Sequence, residues 1–125
     1  MSERSKEAVR RVWAAFDAGD EEAFAAAVTP DWCERDGEGE IATVSVALAA
    51  IDRYRNAFEG TSTTLDQIVA EGDLVAVRTT TVTTHRTTGK VLRRHEVAIH
   101  RVESGRVAQT WSQGGTPSFD EQVDT

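Results

Sequence analysis

Arg78, Glu96 and His100 are the side chains of this sequence that could act together on a carbonyl compound. A carboxylate held near a histidine on an apolar wall can move a proton on and off an enolisable carbon. An arginine beside them can hold the oxyanion that develops. A structural alternative stands next to this reading, with Arg78 and Glu96 as an ion pair beneath the ligand space and His100 near its rim. The other candidates read as quieter. Cys33 has Asp31 and Glu34 for neighbours, and acidic neighbours raise a thiol pKa, which disfavours a nucleophile. Glu34, Arg35 and Asp36 either touch a ligand at a pocket mouth or, as the favoured reading, form a solvated loop. His85 and His95 fit an exposed or partner-facing role better than catalysis. One cysteine and three histidines match no zinc spacing, so no metal is expected, and no cofactor motif is present.

Strands have to present such a trio. From Thr64 onward the apolar period is two, with strands over Thr64–Ala70, Leu74 to about His85, Val91–Val102 and Arg106 to about Gln113. Short turns at Glu71-Gly72-Asp73, Thr87-Thr88-Gly89-Lys90 and Glu103-Ser104-Gly105 join them into an antiparallel meander. If Thr88 centres its hairpin, Arg78 lies opposite Ala98 and Thr80 opposite Glu96. If Ser104 centres the next, His100 lies opposite Ala108 and Ala98 opposite Thr110. One face then collects the even residues Arg78, Thr80, Glu96, Ala98, His100, Thr110 and Ser112. Both faces mix apolar and polar residues, so both are expected to be covered, one by helices and the other by a second subunit.

The first half supplies the helices. Val9, Val12, Trp13 and Phe16 recur at helical spacing over Glu7–Ala18, and Gly19 suits the left-handed residue that ends a helix. Asp20 can cap a short second helix that ends before Pro30. A third runs from about Val46 to Phe58. Helices followed by a curved antiparallel sheet give an α+β fold with an open mouth, a natural ligand pocket. Trp13, Phe16, Trp32, Tyr54 and Phe58 converge from the helical half and could line that pocket or fill ordinary core, with core favoured for Phe16 and Phe58.

Composition bounds the partners. The 125 residues make one domain, expected over 5–115, with a polar tail over 116–125. Hydrophobic residues at 39% and charged residues at 28% exclude a disordered chain or a disulfide scaffold. A net charge of −7 argues against nucleic acid and anionic membranes. No apolar run reaches the roughly 18 residues of a membrane span. Residues 1–7 lack an apolar segment, so no secretory signal is expected, and the single cysteine fits a reducing cytoplasm.

Four phrases, VRRVWAAFDAGD (residues 9–20), PDW (30–32), IVAEGDLVAVR (68–78) and IHRVESGRVAQTW (99–111), resemble the SnoaL-like polyketide cyclase family of the nuclear transport factor 2-like superfamily. Ketosteroid isomerases and limonene epoxide hydrolases are relatives. The resemblance implies a cone-shaped, cystatin-like α+β barrel that dimerises through its sheet, with a pocket for a hydrophobic small molecule between sheet and helices. It also implies that the even face is the pocket wall, which puts Thr80, Ala98, Thr110 and Ser112 beside the trio. The family's catalytic groups are replaced: Trp111 is followed by Ser112 where the cyclases carry an aspartate, and Ala98 stands where a histidine or an aspartate base aligns. Cofactor-free cyclase or isomerase chemistry is therefore expected on Arg78, Glu96 and His100, with a non-catalytic ligand-binding or dimerisation module as the alternative.

Overall fold

The structure, a computed structural model, describes residues 2–114 and 117–124. The chain runs α1 (Ser2–Ala18), α2 (Glu21–Ala27), β1 (Val28–Asp36), β2 (Ile41–Thr43), α3 (Val44–Ala57), β3 (Phe58–Glu71), β4 (Leu74–His85), β5 (Val91–Glu103), β6 (Arg106–Gly114) and α4 (Phe119–Val123). The break between α1 and α2 follows from local chemistry. Gly19 takes a φ of +65°, and the Asp20 side chain accepts a hydrogen bond from the Ala23 amide at 3.0 Å. A side chain at position 19 would also meet the Arg55 side chain at 3.0 Å.

The six strands lie in the order β2-β1-β6-β5-β4-β3. The fold is the α+β class expected from the order of elements, with helices packed on a sheet that stays open at its edges. The meander β3 to β6 is antiparallel throughout. The segment around Trp32 adds something the expected antiparallel sheet lacked. It forms β1, which runs parallel to β6 with Glu34 opposite Thr110 and Asp36 opposite Ser112.

Register differs from expectation in both hairpins, and the difference at β4 has the larger consequences. The β4–β5 hairpin is closed by His85 and Lys90, whose backbones bond at 2.8 Å, around the loop 86–89. It is not centred on Thr88, and an even-length loop moves every cross-strand pair by one residue. Arg78 therefore faces Val97, and Ala98 faces Val77. In β4 the odd residues Val75, Val77, Thr79, Thr81 and Thr83 point inward and are buried, whereas Arg78 is exposed. In β5 and β6 the even residues are inward, as expected. A bulge between Arg101 and Val102 sets His100 opposite Thr110 rather than Ala108.

The core lies between the inner face and the helices, with Val9, Val12, Phe24, Ile51, Val75 and Val107 among its members. A second cluster holds Phe58, Leu92 and Phe119. Phe119 comes from the segment read as a polar tail. Ser118 caps α4 by accepting from the Glu121 amide at 3.2 Å, and the Gln122 amide group donates to the Arg93 carbonyl at 2.8 Å.

Ile51 is 1% exposed within the main cluster. Ile51→Ala is expected to lower the unfolding free energy by about 2–5 kcal/mol, read from urea unfolding as a lower midpoint with an unchanged slope.

Candidate functional site

Beneath the helices the inner face is left partly unfilled, and a cavity of about 440 Å³ opens there. Strand alternation decides what lines it. β1 contributes Trp32, Glu34 and Asp36, β4 contributes Thr81, β5 contributes Arg94, Glu96 and His100, and β6 contributes Thr110 and Ser112. Trp13 and Phe16 reach in from α1 and Tyr54 from α3. The cavity runs from an exposed rim at Asp36, Glu40, Ile41 and Val46 to a buried end at Trp32, His100 and Thr110.

The buried end is a chain of hydrogen bonds. The Trp32 indole Nε1 donates to Thr110 Oγ1 at 3.1 Å, and the same hydroxyl lies 2.8 Å from His100 Nδ1. His100 is 2% exposed, and burial lowers its pKa from 6.5 to about 4. The imidazole is therefore neutral at ordinary pH. Trp13 meets it edge to face, with ring centroids 6.4 Å apart. Among the described residues, the buried side-chain nitrogens without a partner are Trp13 Nε1, Arg94 Nε and His100 Nε2, and all three residues line this cavity.

Nearer the rim is an acidic group with one basic partner. Arg94 Nη1 is bonded to Glu96 Oε2. Glu34 has its pKa raised above 4.5, first by burial and then by the negative charges of Glu96 and Asp36. The Ser112 hydroxyl and the Arg94 charge oppose the rise without cancelling it. A carboxyl that keeps its proton to higher pH, next to an ion-paired carboxylate, can donate or accept a proton at a bound ligand. No three His, Cys, Asp or Glu side chains among the described residues come together as a metal site.

Most of the expected site residues meet here: Trp13, Phe16, Trp32, Tyr54, Glu96, His100, Thr110 and Ser112 all face the cavity. Ala98 lies on the same face, buried in the core between Glu96 and His100. Two expectations are corrected by the β4 register. Arg78 is on the outer face, its Nε donating to Gln67 at 2.9 Å, and Thr80 is beside it, bonded to Asp66 at 2.6 Å. Phe58 belongs to the second aromatic cluster and borders a smaller hollow of about 180 Å³ on the far side of Phe16 and Tyr54. His85 is hydrogen-bonded to Thr88 at 2.9 Å, His95 approaches Thr80 at 3.1 Å on the outer face, and the Cys33 thiol donates to Gln109 at 3.2 Å.

Glu34, Asp36, Glu40 and Arg94 reach the cavity in addition. The signal for the first two was Trp32, Glu34 and Asp36 at alternate positions, the period of a strand rather than of a solvated loop.

The family described as SnoaL-like domain matches residues 9–110. No curated protein matches the chain. Among solved structures, the chain is similar to AclR from Streptomyces galilaeus, described as a candidate hydroxylase, with a TM-score of 0.85, 21% identity and coverage of 99% of this chain and 98% of that one. It is similar to IdmH from Streptomyces antibioticus, a candidate polyketide cyclase, with a TM-score of 0.81, 22% identity and coverage of 97% and 99%. An LEH-like epoxide hydrolase of M. tuberculosis aligns with a TM-score of 0.77, 15% identity and coverage of 90% and 84%. At these identities the likeness is one of fold.

The depressed His100 pKa carries a stability consequence. Unfolded histidine binds its proton near 6.5 and folded His100 only near 4, so acid favours the unfolded chain across that window. In urea unfolding from pH 7 to pH 4, the native protein is expected to lose roughly 3 kcal/mol relative to a His100→Gln variant. A difference independent of pH would contradict the assignment.

Proposed function

The chain belongs to the SnoaL-like domain family, and on that premise we propose that its cavity binds a hydrophobic carbonyl compound and exchanges a proton with it through Glu34, as in a cyclase or isomerase. The carrying observation is that Glu34, its pKa raised by burial, and Glu96 face one cavity together with Trp13, Phe16, Trp32 and Tyr54. Glu96 is the second carboxylate within that site, and Arg94, its ion-pair partner, stands in the role first expected of Arg78. Trp13, Phe16, Trp32 and Tyr54 offer flat apolar surface for a ring system. Thr110 and Ser112 add hydroxyls along one wall.

In this reading the ligand's enolisable C–H lies against Glu34 or Glu96, and its carbonyl oxygen lies toward the buried N–H groups. One carboxyl accepts the proton as a carboxylate, and the other returns it at a second carbon. No reactant beyond substrate and solvent is needed for such a shift.

The outer face of the sheet supports a homodimer. Val69, Ala76, Ile99 and Trp111 are registered side by side across four strands. Ile99 and Trp111 are 44% and 41% exposed, with Val97 at 52% beside them. An apolar band of this kind suits a self-complementary interface around a two-fold axis. No helix among the described residues is long and apolar enough to cross a membrane, and the free Cys33 fits a cytoplasmic setting.

Hydrogen–deuterium exchange into 2-tetralone, an enolisable bicyclic ketone, tests the chemistry in D₂O. The native protein is expected to accelerate exchange, and Glu34→Gln to reduce that acceleration by about 10²-fold or more. Binding of the ketone without accelerated exchange would favour a non-catalytic module. Sedimentation tests the dimer: twice 13.7 kDa is expected for the native chain, and Trp111→Asp is expected to return the 13.7 kDa species.

A further inference from the structure

We propose that Trp32 and Thr110 lock His100 in the tautomer protonated at Nε2, and that this N–H and the Trp13 indole N–H together form a neutral two-donor seat for a ligand oxygen. The inference rests on the reading of the cavity as the site for a carbonyl compound and adds how its oxygen is held.

The argument starts from the one side chain whose proton is not in question. An indole nitrogen can only donate, so in the Trp32–Thr110 contact at 3.1 Å the hydroxyl oxygen accepts. Thr110 has one proton left to place, and His100 Nδ1 lies 2.8 Å away. Donating there satisfies the hydroxyl and requires Nδ1 to be bare. A neutral imidazole then carries its proton on Nε2. The reverse tautomer would make the hydroxyl accept twice and leave its own proton without an acceptor among the described residues at a buried position. Burial, which lowers the His100 pKa to about 4, keeps the ring neutral at ordinary pH.

The relay runs across the inner face from β1 through β6 to β5. Its last atom, His100 Nε2, has no partner among the described residues, on a side chain 2% exposed. Trp13 Nε1 is orphaned as well, on a ring in edge-to-face contact with that imidazole. Buried donors are ordinarily satisfied, and two adjacent ones left open on a cavity wall mark where an acceptor belongs. Both donors are neutral. The seat therefore suits a carbonyl oxygen that gains negative charge during reaction, such as an enolate or phenolate oxygen. Trp32 and Thr110 do not touch the ligand in this arrangement. They are positioning residues.

Nitrogen NMR of the full chain with ¹⁵N-histidine reads the tautomer directly, with His100 assigned by its absence in His100→Gln. At pH 7 the native protein is expected to show a protonated Nε2 and a bare Nδ1. Thr110→Ser is expected to keep that pattern and Thr110→Val to lose it. A native Nδ1–H, or an unchanged pattern in Thr110→Val, overturns the lock. Binding of 2-naphthol against 2-methylnaphthalene reads the seat. The native protein is expected to prefer the naphthol, and Trp13→Phe and His100→Phe are each expected to weaken naphthol binding about tenfold while changing methylnaphthalene binding less than about twofold. Absence of the preference, or variants that keep it, overturns the seat. Neither measurement involves turnover, so failure of Glu34 as a proton carrier leaves both outcomes interpretable.

Discussion

Loss of water from the inner face of the sheet governs this protein's chemistry. The same physical cause acts on an acid and on a base and moves both toward their uncharged forms. Burial raises the pKa of Glu34 and lowers that of His100. The cavity thus holds a carboxyl inclined to keep its proton and an imidazole inclined to do without its second one. Arg94 and Glu96, further along β5 from His100, form its ion pair. A site of this kind has acid, base and neutral hydrogen-bond donors available over one pH range, with carboxylates outnumbering its one arginine.

The helices cover the inner face with Val9, Val12, Phe24 and Ile51 but leave a cavity beneath them. Phe16 and Tyr54 separate this main cavity from the smaller hollow. The parallel pairing of β1 with β6 matters most for the site. It sets Trp32, Glu34 and Asp36 alongside Thr110 and Ser112, so that the relay to His100 and the raised carboxyl share one wall. The outer face of the same strands carries the apolar band that Ile99 and Trp111 anchor, so strand parity divides the cavity wall from that band.

Much of this was legible in the sequence. The change from helical to two-residue periodicity located the meander, and four family phrases fixed the superfamily. On β5 and β6 alternation placed Glu96, Ala98, His100, Thr110 and Ser112 on one face, and the family resemblance identified that face as the inner one. Arg78 and Thr80 do not lie on it. Turn composition alone does not distinguish a loop of four residues from one of three, and that difference reverses a whole strand. Glu34 and Asp36 were weighed as ligand contacts but read as solvated, because a run of charges beside a glycine-rich loop outweighed their strand-like alternation with Trp32. Phe119 sat in a polar stretch too short for periodicity to register.

Everything proposed about reactivity depends on Glu34 holding its proton beyond the range of an ordinary glutamate. Carbon NMR of the side-chain carboxyls across a pH titration of the full chain, with the Glu34 resonance assigned by its loss in Glu34→Gln, measures this without any substrate. A midpoint above the ordinary value of 4.5 is the result expected from the structure. A midpoint at or below 4.5 would contradict it, because Glu34 would then be an ordinary hydrated carboxylate rather than a buried proton carrier.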